Sequence, residues 1–252
     1  FVAKFYAYIA ILMIAFTYGM ETAFIRSAKT DPKNTFQTAF TVVILISTFL
    51  GAFIFFFSSE IAEYIIKRPE TSVYVRWAAL IMWIDAFLAI PFAHLRFLNK
   101  AKKFAFIKIL NILINVGLQF TLLSILPTFY DNFTPSIRYI FLANLMANAA
   151  IIIFLIKEIS LFRFSLNMSV TKKLLIYSTP IFLMGLAGMF NEQLDKILIG
   201  DLLPDSFYST MNSTEALGVY SQTFKLSVFM MLAVQAFRYA GEPFFFSQAD
   251  DK

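Results

Sequence analysis

A chain of 252 residues that is 59% hydrophobic and only 15% charged, with 32 Phe and a mean hydropathy of +0.71, is too apolar for a soluble domain, where about a quarter of residues carry charge. It has no Cys and one His, which excludes disulfides and thiolate metal sites and disfavours zinc. The net charge of +5 does not point to nucleic acid, because the basic residues sit mainly in short connections between apolar runs, a pattern of membrane topology.

The reading is an all-α, polytopic transmembrane helix bundle. Runs of about 20 apolar residues cross roughly 30 Å of hydrocarbon, and seven are expected, near residues 2–26, 36–66, 73–98, 104–126, 136–157, 173–199 and 216–247. The first carries Glu21 and Arg26 near one end. The second is too long for a straight crossing, and Glu60 and Glu63 mark where it leaves the lipid. Tyr64, Tyr74 and Trp77 flank the next connection as an interfacial belt.

The third run places Asp85 near mid-membrane, six residues before Pro91, which lacks a backbone donor and can kink a helix. An acid at that depth is expensive and points to a binding or coupling site, or to a carboxyl bonded to a neighbouring helix. His94 and Arg96 close this run; a lone histidine is read as a satisfied polar group before a proton relay. In the fourth, Lys108, Asn111, Asn115 and Gln119 form one helical stripe. The stripe either lines a wet path or bonds neighbouring helices together, and Asn144 and Asn148 in the fifth run offer the same choice.

Pro127 and Pro135 bracket one outer turn and Pro204 with Asp205 opens another. The stretch from Lys157 to Lys173 is the place for a boundary if the chain has two lobes. In the sixth run Asn191, Glu192 and Asp195 sit beside Lys196; the net negative charge suits a cation or a network of sugar hydroxyls, and a snorkelling helix end is the alternative. The seventh offers Gln222 and Lys225, then Gln235, Arg238 and Glu242 on one face. There an Arg facing a cavity suits phosphate, while an Arg238–Glu242 ion pair on the helix surface is the plainer reading. Asn132-Phe133-Thr134 and Asn212-Ser213-Thr214 match the glycosylation triplet, a pattern that chance produces often.

Basic residues cluster after the first, third and fifth runs (Arg26, Lys29, Lys33; Arg96, Lys100, Lys102, Lys103; Lys157, Arg163, Lys172, Lys173) and are fewer in the other connections (Lys67, Arg68, Arg76; Arg138). The positive-inside rule then puts residue 1 on the periplasmic side and residue 252 on the cytoplasmic side, with the 67–76 loop dissenting. A start inside an apolar run and an end on Asp250, Asp251 and Lys252 make the chain read as a fragment.

Three strings carry a resemblance: Tyr18-Gly19-Met20-Glu21-Thr22-Ala23-Phe24-Ile25-Arg26, Leu183-Met184-Gly185-Leu186-Ala187-Gly188-Met189-Phe190-Asn191-Glu192, and Gln235-Ala236-Phe237-Arg238-Tyr239-Ala240-Gly241-Glu242-Pro243-Phe244-Phe245-Phe246. They resemble bacterial oligosaccharide and lipopolysaccharide (O-antigen type) flippases of the multidrug/oligosaccharidyl-lipid/polysaccharide exporter superfamily. Pro91 to Asn111 is similar to that family's third-to-fourth span connection, with His94 where a basic Arg is expected.

The resemblance implies twelve to fourteen helices in two lobes around a central cavity. It implies a transporter of a lipid-linked oligosaccharide across the inner membrane by alternating access, and no enzyme. Residues 1–157 would form most of the N-terminal lobe without its first helix, 158–172 a cytoplasmic linker, and 173–252 the start of the C-terminal lobe. It places Glu21, Arg26, Asp85, Glu192, Asp195, Lys225, Arg238 and Glu242 on the cavity or its gates; Arg96, Asn111, Asn115 and Gln235 complete the candidate set. The expected partners are the lipid-linked glycan, membrane lipids and polysaccharide polymerase machinery, with no nucleic acid. No cofactor is expected, and a coupling proton or sodium ion is left open. The rivals are a drug exporter of the same superfamily, a seven-helix receptor, against which the missing receptor motifs count, and a membrane-embedded transferase, whose clustered acids or intramembrane histidine are not seen.

Overall fold

Backbone N–H and C=O groups in a lipid-like solvent have no water to bond, so apolar runs of this length satisfy them within helices. The computed structural model of the protein describes residues 2–65, 69–129, 136–204, 206–208, 210–227, 229–230 and 233. Helix follows helix: α1 Val2–Thr17, α2 Met20–Ser27, α3 Pro32–Phe56, α4 Ser72–Phe97, α5 Ala101–Phe120, α6 Arg138–Phe154 and α7 Met168–Leu202. A last helix, α8, covers 213–227, and there is no strand among the described residues. The chain is a multi-pass membrane protein.

Among the described residues five segments are long and apolar enough to cross a bilayer, Val2–Ser27, Pro32–Phe56, Pro69–Phe97, Ala101–Phe129 and Met168–Gly200. The fifth expected run is shorter than anticipated: α6 has 17 residues, because its last turn closes at Leu155 and the chain turns again over Ile156–Ile159 to bury Glu158. The second ends at Phe56 and continues as the turns Ser58–Glu60 and Ile61–Ile65, whose Glu60 and Glu63 are exposed. Of the seventh, residues beyond 233 lie outside the described residues, Gln235, Arg238 and Glu242 included.

The chain divides into two compact units, Tyr8–Asn191 and a smaller one made of Phe1–Ala7 with Glu192–Lys252. Within the larger unit α4 is the central helix, packing against α2, α3, α5 and α6. α3 starts sharply: Pro32 has no N–H to leave unpaired in the first turn, and the Asp31 carboxylate accepts from the Asn34 N–H at 3.2 Å. Thr35, Thr38, Thr41 and Ser47 on its buried face are small enough to let helices approach closely. An apolar cluster of Leu88, Phe92, Leu95, Ile107, Ile151 and Leu155 joins α4, α5 and α6. The segment after α6 returns to α3, where the Thr41 hydroxyl accepts from the Ser165 N–H and Phe162 packs 4.5 Å from Phe40.

The first expected run is broken. Tyr18 and Gly19 take left-handed conformations, φ 49° and 66°, separating α1 from α2. Glycine is required at 19 for that reason and because a Cβ there would meet Ile181 Cγ2 at 3.0 Å and the Ser178 carbonyl at 3.2 Å. Tyr18 is held by stacking on Phe182, 4.7 Å between ring centres, and by a 3.4 Å hydroxyl contact with Thr179.

In the smaller unit, Asn212 and Glu215 bond each other's backbone N–H groups at 2.9 and 3.0 Å, a capping box that starts α8. The Asn212 side chain, one of the two glycosylation candidates, is thus committed to the helix cap. Asp195 accepts from the Tyr220 hydroxyl, and buried Lys196 bonds Gln193 at 2.9 Å and lies 4.2 Å from the Phe224 ring centre.

Candidate functional site

The larger unit contains a cavity of about 500 Å³ whose wall comes from α1, α2, α4, α5 and α6. Its polar groups are Glu21 from α2, Asp85 and Arg96 from α4, Lys108, Asn111 and Asn115 from α5, and Asn144 and Asn148 from α6; Met13, Leu88, Ala89, Phe92, Phe104 and Ile151 supply the apolar part. A volume of this size is within the usual range for ligand pockets, and an apolar wall with a few convergent polar groups is their usual composition.

One hydrogen-bonded chain crosses the cavity wall. Asn111 Nδ2 donates to Asn148 Oδ1 at 2.9 Å, and Asn148 Nδ2 donates to Asp85 Oδ1 at 2.6 Å and to Asn144 Oδ1 at 3.1 Å. Asn148, 7% exposed, therefore ties α4, α5 and α6 together while Asp85, Asn111 and Asn144 face the cavity beside it. Gln119 donates to Asn115 at 2.7 Å within α5. Asn111 and Asn148 thus bond across helices and line the cavity at the same time.

The two cations sit on a pair of aromatic rings. Phe92 and Arg96 lie one turn apart on α4, as do Phe104 and Lys108 on α5, and the contacts cross between the helices. Arg96 Cζ is 5.8 Å from the Phe104 ring centre, Lys108 Nζ is 4.2 Å from that of Phe92, and the rings meet edge to face at 5.6 Å. Ring quadrupoles attract the cations and hold them in place without neutralising them. Arg96 donates through Nη2 to Glu21 Oε2, and both side chains of this ion pair are accessible, at 41% and 36%. Among the described residues Lys108 has no carboxylate at ion-pair distance.

Of the candidate residues, Glu21, Asp85, Arg96, Asn111 and Asn115 come together here. Arg26 does not line the cavity; it is exposed and lies 4.3 Å over the Tyr177 ring. Glu192 is exposed beside Gln193, Asp195 is engaged with Tyr220, and Lys225 is exposed; these three belong to the smaller unit. Sequence reasoning left Lys108, Asn144 and Asn148 out of the site. Their helical spacing was the available signal, but nothing in the sequence says which helices face each other.

Outside the cavity lining, Lys103 Nζ donates to both oxygens of Glu158 at 2.8 and 2.9 Å, and Glu158 is 4% exposed. His94 packs between Phe24 and Phe36, 6.2 and 4.7 Å from their ring centres. Among the described residues no three acidic or histidine side chains converge as a metal site requires.

No curated protein and no solved structure matches the chain. A family model described as "Polysaccharide biosynthesis protein" matches residues 1–239, a span that contains every helix described above. A bundle of membrane-length helices around a cavity of amides and ring-held cations, matched along nearly its whole length by that model, belongs to the polysaccharide biosynthesis protein family.

Proposed function

We propose that the protein is a flippase that carries a lipid-linked oligosaccharide, a glycan on a polyprenyl diphosphate, across the bacterial inner membrane for surface polysaccharide assembly. The observation that carries this reading is the cavity of about 500 Å³ walled by Arg96, Lys108 and four asparagines between membrane-length helices. A diphosphate needs cations to leave water, since an anion at the bilayer centre is costly, and sugar hydroxyls need amide donors and acceptors. Transport is by alternating access, with 1–157 and 173–252 in opposite lobes and 158–172 linking them on the cytoplasmic side; residue 1 is periplasmic. The chemistry is binding and movement, with no covalent step.

The test is complementation of a strain lacking its own flippase, with lipid-linked glycan identified by mass. The reading requires the native protein to restore surface glycan and Arg96→Gln with Lys108→Gln to make the lipid-linked precursor accumulate. Normal glycan export by a well-expressed double variant would refute it.

A further inference from the structure

We propose that Glu21 is an internal competitor for Arg96: its carboxylate and a diphosphate group of the cargo take the same guanidinium N–H groups in turn. This rests on the flippase reading for the choice of ligand and adds how the site takes and releases it.

Four observations converge. Arg96 and Glu21 both line the cavity and are accessible to a ligand within it. Their contact runs from Nη2 to Oε2 alone, whereas a guanidinium presents a fork that phosphate oxygens grip at two points, so a phosphate is the better partner for the same face. Arg96 does not depend on Glu21 for its position, because the Phe104 ring supports it independently. Lys108, held on Phe92 by the crossed contact, puts a second cation on the same wall; two cations suit two phosphates.

The other carboxylate on that wall, Asp85, is bonded to Asn148, which is buried and also bonded to Asn111 and Asn144. Glu21 is different in kind: it meets Arg96 in an ion pair whose two side chains are accessible. Glu21 is therefore the carboxylate whose place a ligand oxygen can take. When it does, the wall around Arg96 changes from a neutral pair to a free cation at the moment the anion arrives.

The consequence is opposite in sign to that expected of an ordinary binding residue: removing a charged cavity residue improves binding. An accessible ion pair contributes at most about 1 kcal/mol, equivalent to about five-fold in affinity. In the full native protein purified in lipid nanodiscs, titrated with inorganic diphosphate and separately with a prenyl diphosphate, Glu21→Gln and Glu21→Ala should tighten binding by about two- to five-fold. Arg96→Gln should weaken it at least about ten-fold and abolish the gain from the Glu21 change. Two neutral replacements are used so that one that fails to assemble, as judged by size-exclusion profile, does not decide the result. Unchanged or weaker binding in well-assembled Glu21 variants, or full affinity in Arg96→Gln, overturns the exchange even if complementation upholds the flippase. Tightening with inorganic diphosphate alone upholds the exchange, assigns it to a free anion and leaves the flippase reading to complementation.

Discussion

Replacing Asn148 by Leu keeps the branched shape of the side chain, though not its volume, and deletes every bond it makes. Two of these are amide to amide, with Asn111 at 2.9 Å and Asn144 at 3.1 Å, and the third goes to the Asp85 carboxylate at 2.6 Å. Only the Asn111 and Asp85 bonds cross between helices, since Asn144 shares α6 with Asn148. Bonds between membrane helices average about 0.6 kcal/mol, a bond to a charged acceptor contributes about 1.5 to 3 kcal/mol and a pair within one helix adds about 0.2 to 0.5 kcal/mol, so the loss is about 2 to 4 kcal/mol. The assay is reversible unfolding in mixed detergent micelles, with Gln119→Leu as the comparison. The Gln119 bond to Asn115 stays within one helix, so that change should cost below about 1 kcal/mol. A cost for Asn148→Leu no greater than that of Gln119→Leu would refute the idea that this network holds the three helices and shapes the cavity.

Gly19→Ala should destabilise by about 2 kcal/mol or more, because the left-handed φ of 66° and the 3.0 Å approach of Ile181 both oppose a Cβ; thermal unfolding within about 1 °C of the parent would contradict this. Lys103→Met strands the Glu158 carboxylate at 4% exposure and should cost about 2 to 3 kcal/mol, reduced from the fully buried value because Lys103 is 35% exposed. The double change Lys103→Met with Glu158→Leu should recover most of that loss in a double-mutant cycle, and additive costs would show no coupling. Asp85→Asn should alter the dependence of glycan transport on a proton or sodium gradient in membrane vesicles; an unchanged gradient response would make Asp85 structural.

Some of this was legible in the residues and some was not, for identifiable reasons. Long apolar runs reported membrane helices because lipid leaves the backbone no alternative. Hydropathy alone placed the start of the second run at 36, whereas α3 begins at Pro32; apolar runs do not register caps, and Asp31-Pro32 is a cap signal. The break at Tyr18 and Gly19 was hidden in an unbroken apolar stretch, and the groups packed against it, Ile181 and Ser178, come from elsewhere in the sequence.

The same division runs through the site. Asn111 and Asn115 were visible as one stripe because helical periodicity is local. The partners of that stripe, Asn144 and Asn148, were visible as a second stripe but not as its counterpart. Glu21 and Arg96 are 75 residues apart, and periodicity says nothing about such a pairing. Arg26, which the resemblance puts on the cavity or its gates, lies over the Tyr177 ring, another pairing between distant parts of the sequence.

The central claim is that water and anions reach a cavity between lipid-spanning helices. The sequence has no Cys, so single cysteines report accessibility without background. Asn111→Cys and Asn144→Cys, on the cavity wall, should react with a charged, membrane-impermeant thiol reagent and be protected by a prenyl diphosphate, while Ile112→Cys, 60% exposed on the outer surface of α5, should stay unlabelled in lipid. Unreactive cavity cysteines, or labelling that a prenyl diphosphate does not slow, would contradict the account.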